Sequence, residues 1–195
     1  MGSYDRFQFW NVTDAERKAT YPSDRYAEPG SMRFLRAISI DTDAATVFRW
    51  LCQLKVAPYS YDWLDNLGRR SPRRLTPGAE RLAVGQRFLV SRIVEFEHGR
   101  HITGVETAAA RALFGPMTLS YQVTACGPAA SRLVACLTVG AAGRVGRARR
   151  RLLGAGDLLM MRKQLLTLKE CAEQSRPSQS SPKSSRPLRS RSRGA

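Results

Sequence analysis

From Met117 to Thr124 the chain alternates without a break. Met117, Leu119, Tyr121 and Val123 are apolar, and Thr118, Ser120, Gln122 and Thr124 between them are polar. A period of two marks a β-strand with one buried face and one wet face. Such a strand cannot stand alone, because its apolar face needs a covering surface. The sequence offers one near its C-terminal end, where Leu158, Met161, Leu165, Leu168 and Ala172 recur every three or four residues. That spacing draws an apolar stripe about four turns long on a helix. A one-faced sheet and a one-striped helix each supply what the other lacks.

The rest of the chain fits this pairing. Met32 to Asp41 reads as a strand, with Phe34, Ile38 and Ile40 among its apolar positions. Asp41 and Asp43 are both placed to cap a helix running to about Leu54, with Val47, Trp50, Leu51 and Leu54 at helical spacing. Pro58 stops it, and Tyr59 to Leu67 reads as a second short helix ending at Gly68. Arg69 to Gly78, with two prolines, is a loop. Four antiparallel strands follow, at Gln86–Glu97, His101 to about Ala108, Met117–Ala125 and Arg132–Gly140, joined at His98-Gly99, Gly115-Pro116 and Gly127-Pro128. The long helix runs from Arg144 to about Glu173. Gly154 and Gly156 within it cost about 1 kcal/mol each relative to Ala and permit close packing or a bend. Residues 1–31, broken by Pro22, Pro29 and Gly30, read as an irregular lead-in with one short helix around Asp14 to Thr20. The sum is an α+β domain over residues 32–173, its antiparallel sheet curved around the long C-terminal helix. Sheet and helix leave a cavity between them, plugged at one end by the two short helices.

Composition narrows the class. A chain of 195 residues with 43% hydrophobic content can bury a core without staples. Its net charge of +16 is unevenly spread. Six cations and no acid lie in the Ser/Pro/Arg tail at 174–195, which cannot form a core and is expected to be disordered. Arg144, Arg147, Arg149, Arg150 and Arg151 carry five more, leaving a mildly basic body. The N-terminus shows no apolar signal region, and the uncharged run from Leu133 to Gly143 is too short to span a bilayer. Cysteines 52, 126, 136 and 171 have no metal-like spacing and read as buried, reduced thiols of a cytoplasmic protein.

The segment from Phe48 to Asn66 concentrates aromatic rings with polar tips. Trp50, Tyr59, Tyr61 and Trp63 fall within it, against three Trp and six Tyr in the whole chain. Such rings after a helix break either fill a core corner or line a ligand cavity. The strings Val47-Phe48-Arg49-Trp50-Leu51-Cys52-Gln53-Leu54 and Ala57-Pro58-Tyr59-Ser60-Tyr61-Asp62-Trp63-Leu64-Asp65-Asn66 stand out. With Leu82-Ala83-Val84-Gly85 and the helix segment Asp157 to Lys169, they resemble the START/birch-pollen-allergen superfamily, also called SRPBCC, in a bacterial, actinobacterial-like branch. The resemblance covers about Met32 to Glu173 and implies a helix-grip fold. It also implies a hydrophobic cavity of the kind superfamily members use to bind lipids, sterols and hormones or to cyclise and dehydrate polyketides. No motif here selects among those uses.

On this reading the cavity residues are Trp50, Tyr59, Tyr61, Trp63, Leu119, Tyr121, Leu158 and Met161, and the expected partner is a small hydrophobic ligand. The alternative is an enzyme of the polyketide cyclase/dehydratase kind, with Tyr121, Glu95, Glu106 and Asp157 as the available acid or base groups. A third reading makes Arg144, Arg147, Arg149, Arg150 and Arg151, with the tail, a contact for RNA or an anionic membrane. His98 and His101 flank a turn and read as solvated rather than as metal ligands. No cofactor or metal is expected.

Overall fold

The period-two pattern of Met117 to Thr124 does build a strand, and its partners follow from the same pattern. In the computed structural model, residues 5–60, 71–140 and 143–175 are described. In chain order the elements are α1 (Asp5–Gln8), β1 (Phe9–Trp10), α2 (Asp14–Lys18), a 3₁₀ turn (Pro22–Tyr26), β2 (Met32–Ile40), α3 (Ala44–Cys52) and a 3₁₀ turn (Gln53–Lys55). Then come β3 (Arg87–Phe88), β4 (Ser91–Glu97), β5 (His101–Glu106), α4 (Ala108–Phe114), β6 (Met117–Gly127), β7 (Ala130–Val139) and α5 (Gly143–Gln174). The strands form one sheet in the order β1-β2-β7-β6-β5-β4-β3. It is antiparallel except for the β1–β2 pair.

The inner face carries Phe34, Ile38, Ile102, Leu119, Tyr121, Val123, Leu133 and Leu137, packed with α3 and α5 into the main core. Of the predicted stripe on α5, Met161, Leu165, Leu168 and Ala172 are buried. Asp43 is the residue that caps α3, its Oδ1 accepting from the Thr46 backbone N–H at 2.8 Å. At Gly156 the helix faces open space, so close packing is not its role there.

Four expectations change. First, part of the lead-in is ordered against the sheet. β1 pairs with β2, the buried Arg36 guanidinium donates to the Gln8 and Phe7 carbonyls at 2.7 Å each, and Tyr21 packs with Leu35, Ala37, Val134 and Cys136 in a second small core. Second, this layer covers the face of β6 predicted to be wet. Thr118 and Ser120 are buried, bonding Ser23 through its carbonyl (3.1 Å) and hydroxyl (2.9 Å). Third, the predicted strand 86–97 is split by a turn at Leu89 and Val90, with Leu89 at φ 55°. Neither residue is a turn former, so nothing in the sequence marked it. Fourth, Ala108–Phe114 is a helix, with Thr107 Oγ1 accepting from Ala110 N–H at 3.2 Å and Gly115 ending it at φ 80°. Its Ala-rich composition was the overlooked signal.

Cys52, Cys136 and Cys171 are buried, and burial pushes the first two thiols up to about 12. Cys126, predicted buried, is exposed. Among the described residues no helix is long and apolar enough to cross a membrane. The proposed second helix, except its first two residues, and the tail beyond Ser175 lie outside the described residues.

Three carboxylates held by hydrogen bonds and ion pairs set the acid behaviour, Asp43 at the start of α3 and Glu16 and Glu173 across distant segments. Bonds from Thr46 hold the Asp43 carboxyl below its usual 3.8. Burial would raise Glu16, but Arg132 and Thr13 outweigh it and hold it below 4.5. Glu173 follows the same balance, with burial opposed by Lys169 and the Asp41 backbone N–H. Depressed folded values mean that the unfolded chain binds more protons in acid, so this stabilisation is complete above the ordinary carboxylate values and fades as pH falls through the folded ones. Urea midpoints are expected to drop between about pH 6 and about pH 3, and Glu16→Gln should shrink the drop.

Candidate functional site

Two cross-strand pairs make the floor of the candidate site. Met117 stands opposite Val139 and Leu119 opposite Leu137 on β6 and β7. Above them α5 presents Met160, Met161 and Gln164. The walls are Leu54, Val56 and Pro58 after α3, Leu89 and Val90 in the β3–β4 turn, and Phe114 of α4. Together they enclose about 550 Å³, within the range of small-molecule sites. Beside Leu119 on the same strand face, Tyr121 is fully buried and meets Phe88 edge to face, with ring centroids 5.9 Å apart.

The polar atoms around this space are mostly committed to the protein. Tyr121 donates its hydroxyl proton to Gln164 Oε1 and lies 3.4 Å from Met161 Sδ. Gln164 Nε2 in turn donates to the Pro58 carbonyl. Ser91 Oγ donates to the Phe88 carbonyl at 2.7 Å. Lys55 Nζ donates to the carbonyls of Gly78 (3.2 Å) and Arg81 (2.8 Å). The described lining holds no carboxylate and no imidazole.

No protein-family model matches the chain, and no curated protein matches it in sequence. Solved structures do match. The solution structure of a Thermobifida fusca protein aligns with a TM-score of 0.52 at 12% identity, over 73% of this chain and 93% of that one. This is a helix-grip fold, an antiparallel sheet packed on a long C-terminal helix. Weaker alignments reach Zhui aromatase/cyclase from Streptomyces sp. R1128, with a TM-score of 0.47 and 14% identity over 74% and 94% of the two chains. Norcoclaurine synthase from Thalictrum flavum, in complex with dopamine and hydroxybenzaldehyde, gives 0.48 and 10% over 75% and 89%. At such identities the likeness is one of fold.

Within this helix-grip frame the expected cavity residues separate. Leu119 and Met161 line the space, and Tyr121 supports it through Gln164. Trp50 and Tyr59 do not line it. Trp50 is 1% exposed, donates from Nε1 to Ser175 Oγ at 3.0 Å, and meets Tyr59 edge to face at 6.1 Å. Tyr59 donates its hydroxyl to the Pro72 carbonyl at 2.6 Å. The physical reason is a backbone turn: Tyr59 has φ 56°, so it starts no helix there. Its ring is directed into the core while its neighbours Pro58 and Ser60 line the cavity. Leu158 is half-buried and off the lining. Tyr61 and Trp63 lie outside the described residues, as do the side chains of Asp157, Arg144, Arg147, Arg149, Arg150 and Arg151.

The carboxylate candidates lie elsewhere. Glu95 bonds Arg25, the Tyr26 hydroxyl (2.9 Å) and His101 Nε2 (3.2 Å), and Glu106 pairs with Arg111 at 2.5 Å. His98 packs its ring against Phe48 and Phe96. Among the described residues no three His, Cys, Asp or Glu side chains are grouped to hold a metal ion. The residues missed from sequence had usable signals. Leu137 and Val139 follow from pairing β7 back across the Gly127-Pro128 turn, and Gln164 sits one turn from Met161 on the same helix face.

Proposed function

We propose that this protein binds a small, largely apolar molecule in the cavity between the sheet and the C-terminal helix. The observation that carries this reading is a space of about 550 Å³ floored by Met117, Leu119, Leu137 and Val139, whose neighbouring hydroxyl and amide groups bond one another. Polar groups already satisfied by the protein do not compete for ligand contacts, so affinity comes from excluding water from apolar surface. The same observation weighs against a cyclase or dehydratase. Acid–base catalysis needs a titratable group within hydrogen-bond reach of the substrate, and the described lining offers neither carboxylate nor imidazole. The Tyr121 proton is committed to Gln164, behind the lining.

The test is thermal unfolding with neutral apolar ligands, among them dodecanol and polycyclic aromatics. A ligand at about one hundred times its Kd stabilises by about 2.7 kcal/mol, a rise in Tm of roughly 5–10 °C for a chain of this size. No shift with any member of such a panel would overturn the reading.

A further inference from the structure

We infer that the ligand is an anionic amphiphile, an apolar body with a carboxylate or similar acidic head, and that Lys55 and Arg87 hold the head. This rests on the binding reading above and names the class of molecule bound.

The cavity is apolar except where two cations enter its lining. Lys55 comes from the 3₁₀ turn after α3 and Arg87 from β3, and these two elements pack against each other. Neither cation is paired with a carboxylate among the described residues. Among the described residues Lys55 Nζ bonds the Gly78 and Arg81 carbonyls, neither of which neutralises its charge, and one of its three N–H donors has no acceptor there. Glu80, between those two carbonyls in the chain, pairs instead with Arg49 at 3.1 Å. Among the described residues Arg87 makes one long bond, from Nε to the Leu89 carbonyl at 3.4 Å, and its terminal nitrogens have no acceptor there.

Arg25, Arg33, Arg49, Arg73, Arg100, Arg111 and Arg132 each meet an acidic side chain. Lys55 and Arg87, with no acidic partner among the described residues, share a single apolar cavity with no acid in its described lining. An anionic head placed there gains charge-assisted hydrogen bonds, the stronger kind, while its tail takes the apolar floor. The net charge of +16 favours the approach of an anionic ligand.

Matched ligands isolate the head. Dodecanoate, dodecanol and methyl dodecanoate share one chain and differ in charge. The wild-type protein is expected to bind dodecanoate about tenfold more tightly than either neutral ligand, with the preference shrinking as salt rises. Arg87→Met is expected to reduce the preference severalfold, read as the ratio of dodecanoate to dodecanol affinity within each protein. Lys55→Met should do the same, and because Lys55 also tethers the 78–81 loop, Arg87→Met is the cleaner variant. Equal binding of the acid and the alcohol by wild type overturns the anionic class and leaves the cavity reading standing. A preference that survives both substitutions overturns the assignment to these residues. Binding of none of the three ligands overturns the cavity reading and this inference with it.

Discussion

Trp50→Ala is expected to lower the unfolding free energy by about 3–5 kcal/mol, a fall in Tm of roughly 6–20 °C for a chain of this size. The indole is 1% exposed and lies in the main core with Leu51, Leu54 and Tyr59. Its removal leaves a void lined by side chains that close only part of the gap, which is the larger share of the cost. A second loss is specific. Nε1 donates to Ser175 Oγ, and Ser175 Oγ in turn donates to the Cys171 carbonyl at 2.8 Å, so the indole ties α3 to the C-terminal end of α5. Trp50→Phe keeps most of the volume and loses that tie, so it should cost distinctly less. Chemical denaturation of the three proteins checks the order. If Trp50→Ala instead left stability unchanged and abolished ligand binding, Trp50 would belong to the cavity, as the aromatic pattern first implied.

That pattern shows where the sequence was readable and where it was not. The sheet-and-helix pairing follows from periodicity alone, because Met117 to Val123 and Met161 to Ala172 repeat at the spacing of their elements. Side-chain direction after a helix break has no such period. Tyr59 carries the left-handed backbone at φ 56°, a conformation that sequence rarely marks when the residue is not Gly or Asn. One dihedral sends its ring toward Trp50 and leaves Pro58 and Ser60 to line the cavity. The Leu89 turn was hidden in the same way, and with it the entry of Leu89, Val90 and Arg87 into the lining. Glu95 and Glu106 were candidates only by residue type. Their partners Arg25, Tyr26 and Arg111 belong to segments read as irregular or as loop, so sequence could not show that these carboxylates were already engaged.

Leu119→Trp is expected to abolish binding of apolar ligands while leaving the fold stable. Leu119 is one of the four floor residues, opposite Leu137, and shares the lining with Met161, so an indole there projects into the space a ligand would fill. Stability carries independent information. Adding a large ring to a packed core costs about 1–3 kcal/mol, whereas a ring entering an open apolar space gains contacts and removes a void, so its cost is near zero. The variant should therefore unfold at nearly the wild-type Tm and show no Tm rise with dodecanol. The most direct measurement is a parallel fluorescence titration of wild type and Leu119→Trp with the neutral probe N-phenyl-1-naphthylamine. The expected result is saturable binding at one site per chain in the wild type, weakened at least about tenfold in a variant that remains folded. Absence of saturable binding by the wild type, or equal binding by both proteins, would contradict a ligand cavity between the sheet and the C-terminal helix.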